Sequence, residues 1–170
     1  MPVSGLNYKL SWDKDFPEEN KLEMRPTGKK YDSETHPNWK FKYKLDSNQR
    51  RVFAKDIDIT VSLDKKDNWV VRAKMLDELL RHEQGHYDIT ALLARDFDVS
   101  IKKISASSVD EIRKKVGNLE QEFKRKFNDI QISRYDKQTK HGADRSVQEM
   151  WEQRISAEKR KSDGSADNLP

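Results

Sequence analysis

The chain has 170 residues and no cysteine; 34% of its side chains are hydrophobic and 38% charged, with 34 basic against 30 acidic residues for a net charge of +4. That length suits a single domain, and the missing cysteines exclude disulfides and thiolate metal sites. No apolar run approaches the roughly 20 residues of a membrane-spanning helix, and the interspersed charges point away from a nucleic-acid partner.

In chain order, residues 5–12 alternate, with Leu6, Tyr8, Leu10 and Trp12 on one side, which predicts a half-buried strand. Residues 13–37 are polar and carry Pro17, Pro26, Gly28 and Pro37; they read as a long loop or poorly paired strand, with His36 an exposed loop histidine. Asn38 to Leu45 alternates again, aromatic against lysine, and the turn Asp46-Ser47-Asn48 leads into a longer strand over Arg51 to Leu63. Its face of Ile57, Ile59, Val61 and Leu63 points inward, and Trp69-Val70-Val71 reads as a short further strand. Lys40, Lys42 and Lys44 lie opposite the aromatics, as a solvated sheet face requires. Together these strands predict an antiparallel sheet with one wet face.

From Ala73 the period becomes helical, and one long helix is expected over about residues 73–104. Ser105 to Ser108 breaks it, and Ser108 with Glu111 three residues on has the capping-box pattern. A second helix over about 109–132, striped by Ile112, Val116, Leu119, Phe123, Phe127 and Ile130, should pack against the first as an antiparallel hairpin. A polar loop with Tyr135, Asp136 and His141, a short helical piece with Gln148 and Trp151, and a disordered tail over 156–170 complete the reading.

The long helix contains His82-Glu83-Gln84-Gly85-His86. Histidines four apart share a helix face and can aim their nitrogens at one point, where a zinc ion would find two of its ligands. Glu83, about 100° round the helix from His82, is placed for a general base in metal-assisted hydrolysis. The apolar stripe of the helix passes through Glu83 and His86, so these polar groups face the interior and need partners. Gly85 costs about 1 kcal/mol in a helix relative to alanine, which close packing or substrate approach would explain. A catalytic zinc takes three protein ligands. His141, beside Gly142, is the favoured third; Glu120 and Asp136 are alternatives, and Glu122 sits off the stripe.

Leu79-Leu80 before the first histidine and the uncharged pair between the two resemble the extended zinc-peptidase helix signature, from which Asp88 departs. Together with Tyr135-Asp136-x-x-Thr139-x-His141-Gly142, followed by Gln148 and Trp151, the motif helix resembles the bacterial domain-of-unknown-function family nine-two-two, described as secreted zinc-dependent proteases. The resemblance covers about residues 5–155. It implies an α+β, zincin-like domain over residues 1–155, zinc as cofactor, a peptide or protein substrate, His141 as ligand and Tyr135 as a stabiliser of the oxyanion. It also implies a secreted or periplasmic location with its signal removed. The start Met1-Pro2-Val3-Ser4 shows no signal pattern, which leaves the cytoplasm as the alternative. The rival functional reading is a non-catalytic, metal-stabilised binding or envelope module.

Overall fold

The computed structural model describes residues 3–170. Its largest feature is a hairpin of β3 (Pro37–Ser47) and β4 (Val52–Leu63), paired antiparallel from Pro37 opposite Leu63 to Ser47 opposite Val52. The turn closes as its composition requires, with the Asn48 side chain accepting from the Arg50 and Arg51 amides. Register slips between Lys42 and Lys44, where Asp56 takes a positive φ of 49°, the mark of a bulge. Ile57, Ile59 and Val61 are buried on one face; Lys40, Lys42 and Lys44 are exposed on the other. The expected aromatics line the inner face, where Phe41 packs 4.7 Å from Phe97. A short β6 (Ser105–Ala106) pairs with the far edge of β4.

A second, mixed sheet departs from the single antiparallel sheet expected. In it β5 (Trp69–Val71) lies between β1 (Lys21–Leu22), which is parallel to it, and β2 (Ser33–Glu34), which is antiparallel. All three residues of β5 are buried, so it has no wet face and takes partners on both edges from the segment expected to be a loop.

Residues 5–12 do not form the strand that their alternation suggested. Ser4 makes one bridge to Thr60, and Gly5 then turns at φ 82°, where a Cβ would lie 2.4 Å from the Val61 carbonyl oxygen. Beyond it the backbone pairs with a side chain instead of a strand: the Leu10 amide donates to Gln84 Oε1 at 2.8 Å, and Gln84 Nε2 donates to the Tyr8 carbonyl at 3.0 Å. The short α1 (Trp12–Asp15) follows.

The motif helix is α2 (Asp77–Ile101), and α3 is Val109–Asn128. Phe97 meets Phe123, Thr90 meets Gln131 and His82 meets Asp136, so one number rises as the other falls and the pair is antiparallel. The helix does not end after α3. It widens into a π-helical stretch, Asp129–Asp136, and runs on through α4 (Lys137–Thr139). The last helix, α5, spans Arg145–Arg160 and packs on α2. The expected disordered tail is ordered and docked: Ala166 is fully buried, and Asp96 accepts from the Ser165 hydroxyl at 2.9 Å and the Ala166 amide at 2.8 Å. The molecule is therefore α+β, with several helices over two small sheets. No described helix is long and apolar enough to cross a membrane.

Candidate metal centre

His82 and His86, one turn apart on α2, bring their Nε2 atoms to 3.2 Å from each other. The third group at this point is Asp136, whose Oδ1 lies 3.1 Å from His82 Nε2 and 2.9 Å from His86 Nε2. Among the described residues these are the three that cluster as a potential ion-holding group. A tetrahedral zinc with ligands at 2.0–2.1 Å sets its ligand atoms about 3.3 Å apart. Edges of 2.9, 3.1 and 3.2 Å fit that set closely. Two imidazoles and a carboxylate are also the donors that zinc prefers when thiolates are absent.

Each member is placed by local sequence. Tyr135 is fully buried beneath the pair, stacked 4.8 Å from the His82 ring and edge-on to His86 at 4.9 Å. Its hydroxyl donates to the His82 carbonyl at 3.0 Å and accepts from Gln148 Nε2 at 2.8 Å. The phenol therefore faces α2 rather than the cavity, out of reach of the oxyanion role expected for it, and burial pushes its pKa well up. This ring also explains Gly85: a Cβ there would sit 2.0 Å from the Tyr135 hydroxyl. In an α-helix Gln131 and Tyr135 share a face while Asp136 turns away. The wider π turn, bonded i to i+5, brings residues four and five apart to either side of one face, so all three meet α2.

His141 stands beside the cluster. Lys140, His141 and Gly142 take φ of 50°, 53° and 81°, an uncommon run of left-handed backbone. It puts His141 Nδ1 3.5 Å from Asp136 Oδ1, with the imidazole 4.8 Å from the Tyr31 ring. Gly142 is needed because a Cβ would come 3.0 Å from His82 Cβ. Asp136, not His141, is thus the group nearest the histidine pair. Glu120 pairs with Lys124 at 2.9 Å, and Glu122 is exposed.

Glu83 is buried beside the cluster. Ser33 Oγ donates to its Oε1 and Thr35 Oγ1 to its Oε2, the latter at 2.6 Å. These hydroxyls belong to β2 and the residue after it, in the stretch whose prolines and polar composition gave no sign of the role. His36, expected to be an exposed loop histidine, does lie in a loop with its side chain 40% exposed, and it lines the same cavity 3.7 Å from Glu34. The cavity has a volume of about 490 Å³; His82, Glu83, His86, Asp136 and His141 all open onto it.

The cluster is electrostatically coupled. Burial lowers the His86 pKa, but the Asp136 carboxylate, Glu83 and the Gln131 contact outweigh it and raise the imidazole to about 9. Burial raises the Asp136 carboxyl, and the two histidines outweigh that in turn, holding it well below the usual carboxylate range. Both directions say that this point attracts positive charge.

The fold and this site define an α+β domain with a His–His–carboxylate group at the floor of a cavity. The chain belongs to the family of bacterial proteins of unknown function designated DUF922, whose profile matches residues 15–142 and so spans Glu83 to Gly142. No curated protein and no solved structure matches the chain.

Proposed function

We propose that the protein is a zinc-dependent peptidase. The observation that carries this reading is a three-donor cluster with tetrahedral spacing next to a buried glutamate on an open cavity. His82, His86 and Asp136 would hold the ion, and His141, 3.5 Å from Asp136, is in reach of a remaining position. Zinc bound there supplies Lewis acidity, polarising a carbonyl and lowering the pKa of water to about 7. Glu83, fixed by Ser33 and Thr35, takes the proton from the attacking water and returns it to the leaving amine. The edge strand β2 contributes Ser33 and Glu34 to the cavity wall, so an extended peptide could align there by strand addition. Export from the cell belongs to the same proposal and is supported only by the family resemblance.

The test is metal analysis paired with two variants. Purified protein should carry or take up one zinc, and Asp136→Ala should weaken binding more than His141→Ala. Glu83→Gln should retain metal and fold while peptide hydrolysis falls by about 10²–10⁴-fold. Greater metal loss in His141→Ala would restore the all-histidine ligand set. The second reading, a metal-stabilised module without turnover, draws on Ser33 and Thr35 engaging both Glu83 oxygens. Metal uptake with no hydrolysis of a peptide library would select it.

A further inference from the structure

Each motif histidine has a second ring nitrogen, and both of these meet a glutamine. His82 Nδ1 lies 3.1 Å from Gln148 Oε1, and His86 Nδ1 contacts Gln131 Oε1. The two amides come from different elements, α5 and the π-helical stretch. Neither can turn over freely. Gln131 Nε2 donates to the His86 carbonyl at 2.8 Å and to Thr90 Oγ1 at 3.0 Å; Gln148 Nε2 donates to the Tyr135 hydroxyl at 2.8 Å and to Glu152 at 3.1 Å. With the NH₂ groups committed to acceptors, the carbonyl oxygens must face the histidines. A carbonyl oxygen only accepts, so each Nδ1 carries a proton, and Nε2 is the ring nitrogen left to give its lone pair to an ion.

We propose that Gln131 and Gln148 are positioning residues of the metal centre: they hold a proton on Nδ1 of both histidines, so that an ion held with Asp136 would meet the Nε2 lone pair of each. Their neutrality matters as much as their geometry. Histidine ligands commonly rest on a carboxylate, backbone carbonyl or water. Here both rest on uncharged amides, so Asp136 is the one formal charge among the three donors, and a divalent ion would keep a net positive charge. Such a centre favours polarising a substrate over holding metal as tightly as possible. A glutamate would not substitute at either position. At 131 it would set an oxygen against the His86 carbonyl; at 148 it would lose the donor to the Tyr135 hydroxyl. Gln148 lies beyond residue 142, where the family match ends.

The inference rests on the metal reading only in its zinc half, so it is tested in two arms. The first needs no metal: nitrogen-15 spectra of the histidine rings in metal-free protein should show a protonated Nδ1 in both His82 and His86, retained when His86 loses its second proton above about pH 9. Gln131→Met, chosen to keep volume, should abolish the fixed tautomer of His86 and leave that of His82. The second arm titrates zinc alone against a chelator, where Gln131→Met and Gln148→Met should each bind about 10–100-fold more weakly. An unprotonated Nδ1 in either histidine of the wild type, or unchanged tautomer and affinity in folded variants, would overturn the proposal. Correct tautomers with no zinc uptake by the wild type would keep the lock and remove the metal reading. If either methionine variant fails to fold by circular dichroism, Gln131→Leu and Gln148→Leu replace it.

Discussion

At the scale of single residues, Gly85 shows how the site is built into the helix that carries it. Its cost in helix propensity was visible in the sequence, and so was the choice between close packing and substrate approach. The structure decides for packing, because Tyr135 lies where a Cβ would be. Gly85→Ala should therefore gain about 1 kcal/mol of propensity and lose more, because a buried ring must move from its place between two histidines. The expected net effect is a destabilisation of about 1–2 kcal/mol, measured as a lower denaturant midpoint at unchanged slope. Zinc affinity should fall with it, since the Tyr135 hydroxyl holds the His82 carbonyl. A more stable variant would mean that Tyr135 is not seated as described. The histidine pair and Glu83 were legible because helical spacing alone puts them together. Asp136 was only one alternative among several, because its stretch reads as a polar loop and nothing local marks the π-helical turn that carries it to the histidines. Ser33 and Thr35 were hidden by a contact that spans about fifty residues of chain.

At the scale of elements, boundaries followed the sequence where a local signal set them and departed where a distant partner did. The β3–β4 hairpin, α2 and α3 all follow hydrophobic period and turn chemistry. Residues 5–12 kept their alternation yet formed no strand, because a glutamine side chain on α2 supplies their hydrogen bonds. The start of α3 is a clear local signal with a twist. Ser108 Oγ accepts from the Glu111 amide at 3.2 Å, as a capping box requires, but the Glu111 carboxylate reaches past Ser108 to Ser107, accepting from its amide at 2.9 Å and its hydroxyl at 2.7 Å. The Ser107 hydroxyl and Lys115, followed by the Ser107 amide, lower the Glu111 carboxyl to about 2 from an ordinary 4.5. A depressed folded pKa adds stability above the unfolded value and loses it as pH falls through the folded one. The stability difference between wild type and Glu111→Gln should thus be constant above about pH 5, shrink between pH 4.5 and 2, and vanish below. Thermal unfolding across that range checks it; a difference that persists at pH 2 would refute the carboxylate's part in the cap.

At the scale of the whole molecule, the distribution of charge says more than its total. The chain carries 34 lysines and arginines, yet none lines the cavity over the histidine pair. Five acidic residues do: Glu34, Asp64, Asp67, Glu83 and Asp136. Glu83 and Asp136 belong to the proposed chemistry, and Lys29 neutralises Glu34 at 2.7 Å. Asp64 and Asp67 make no ion pair among the described residues, because Lys65 between them turns back to Asp15 at 2.8 Å. They bracket the turn between β4 and β5, and both open onto the cavity. A basic protein with an acidic mouth draws cations to that mouth, more strongly at low ionic strength. If peptides are cut there, those with lysine or arginine near the scissile bond should be preferred over acidic ones. The preference should weaken as salt is raised. Asp64→Asn with Asp67→Asn should raise KM for basic peptides several-fold and leave kcat and zinc content unchanged, since among the described residues neither side chain hydrogen-bonds or ion-pairs with His82, His86, Asp136 or Glu83. Profiling a peptide library with wild type and the double variant reads this directly. Equal cleavage of acidic and basic peptides by the wild type would show that the unpaired carboxylates do not select the substrate.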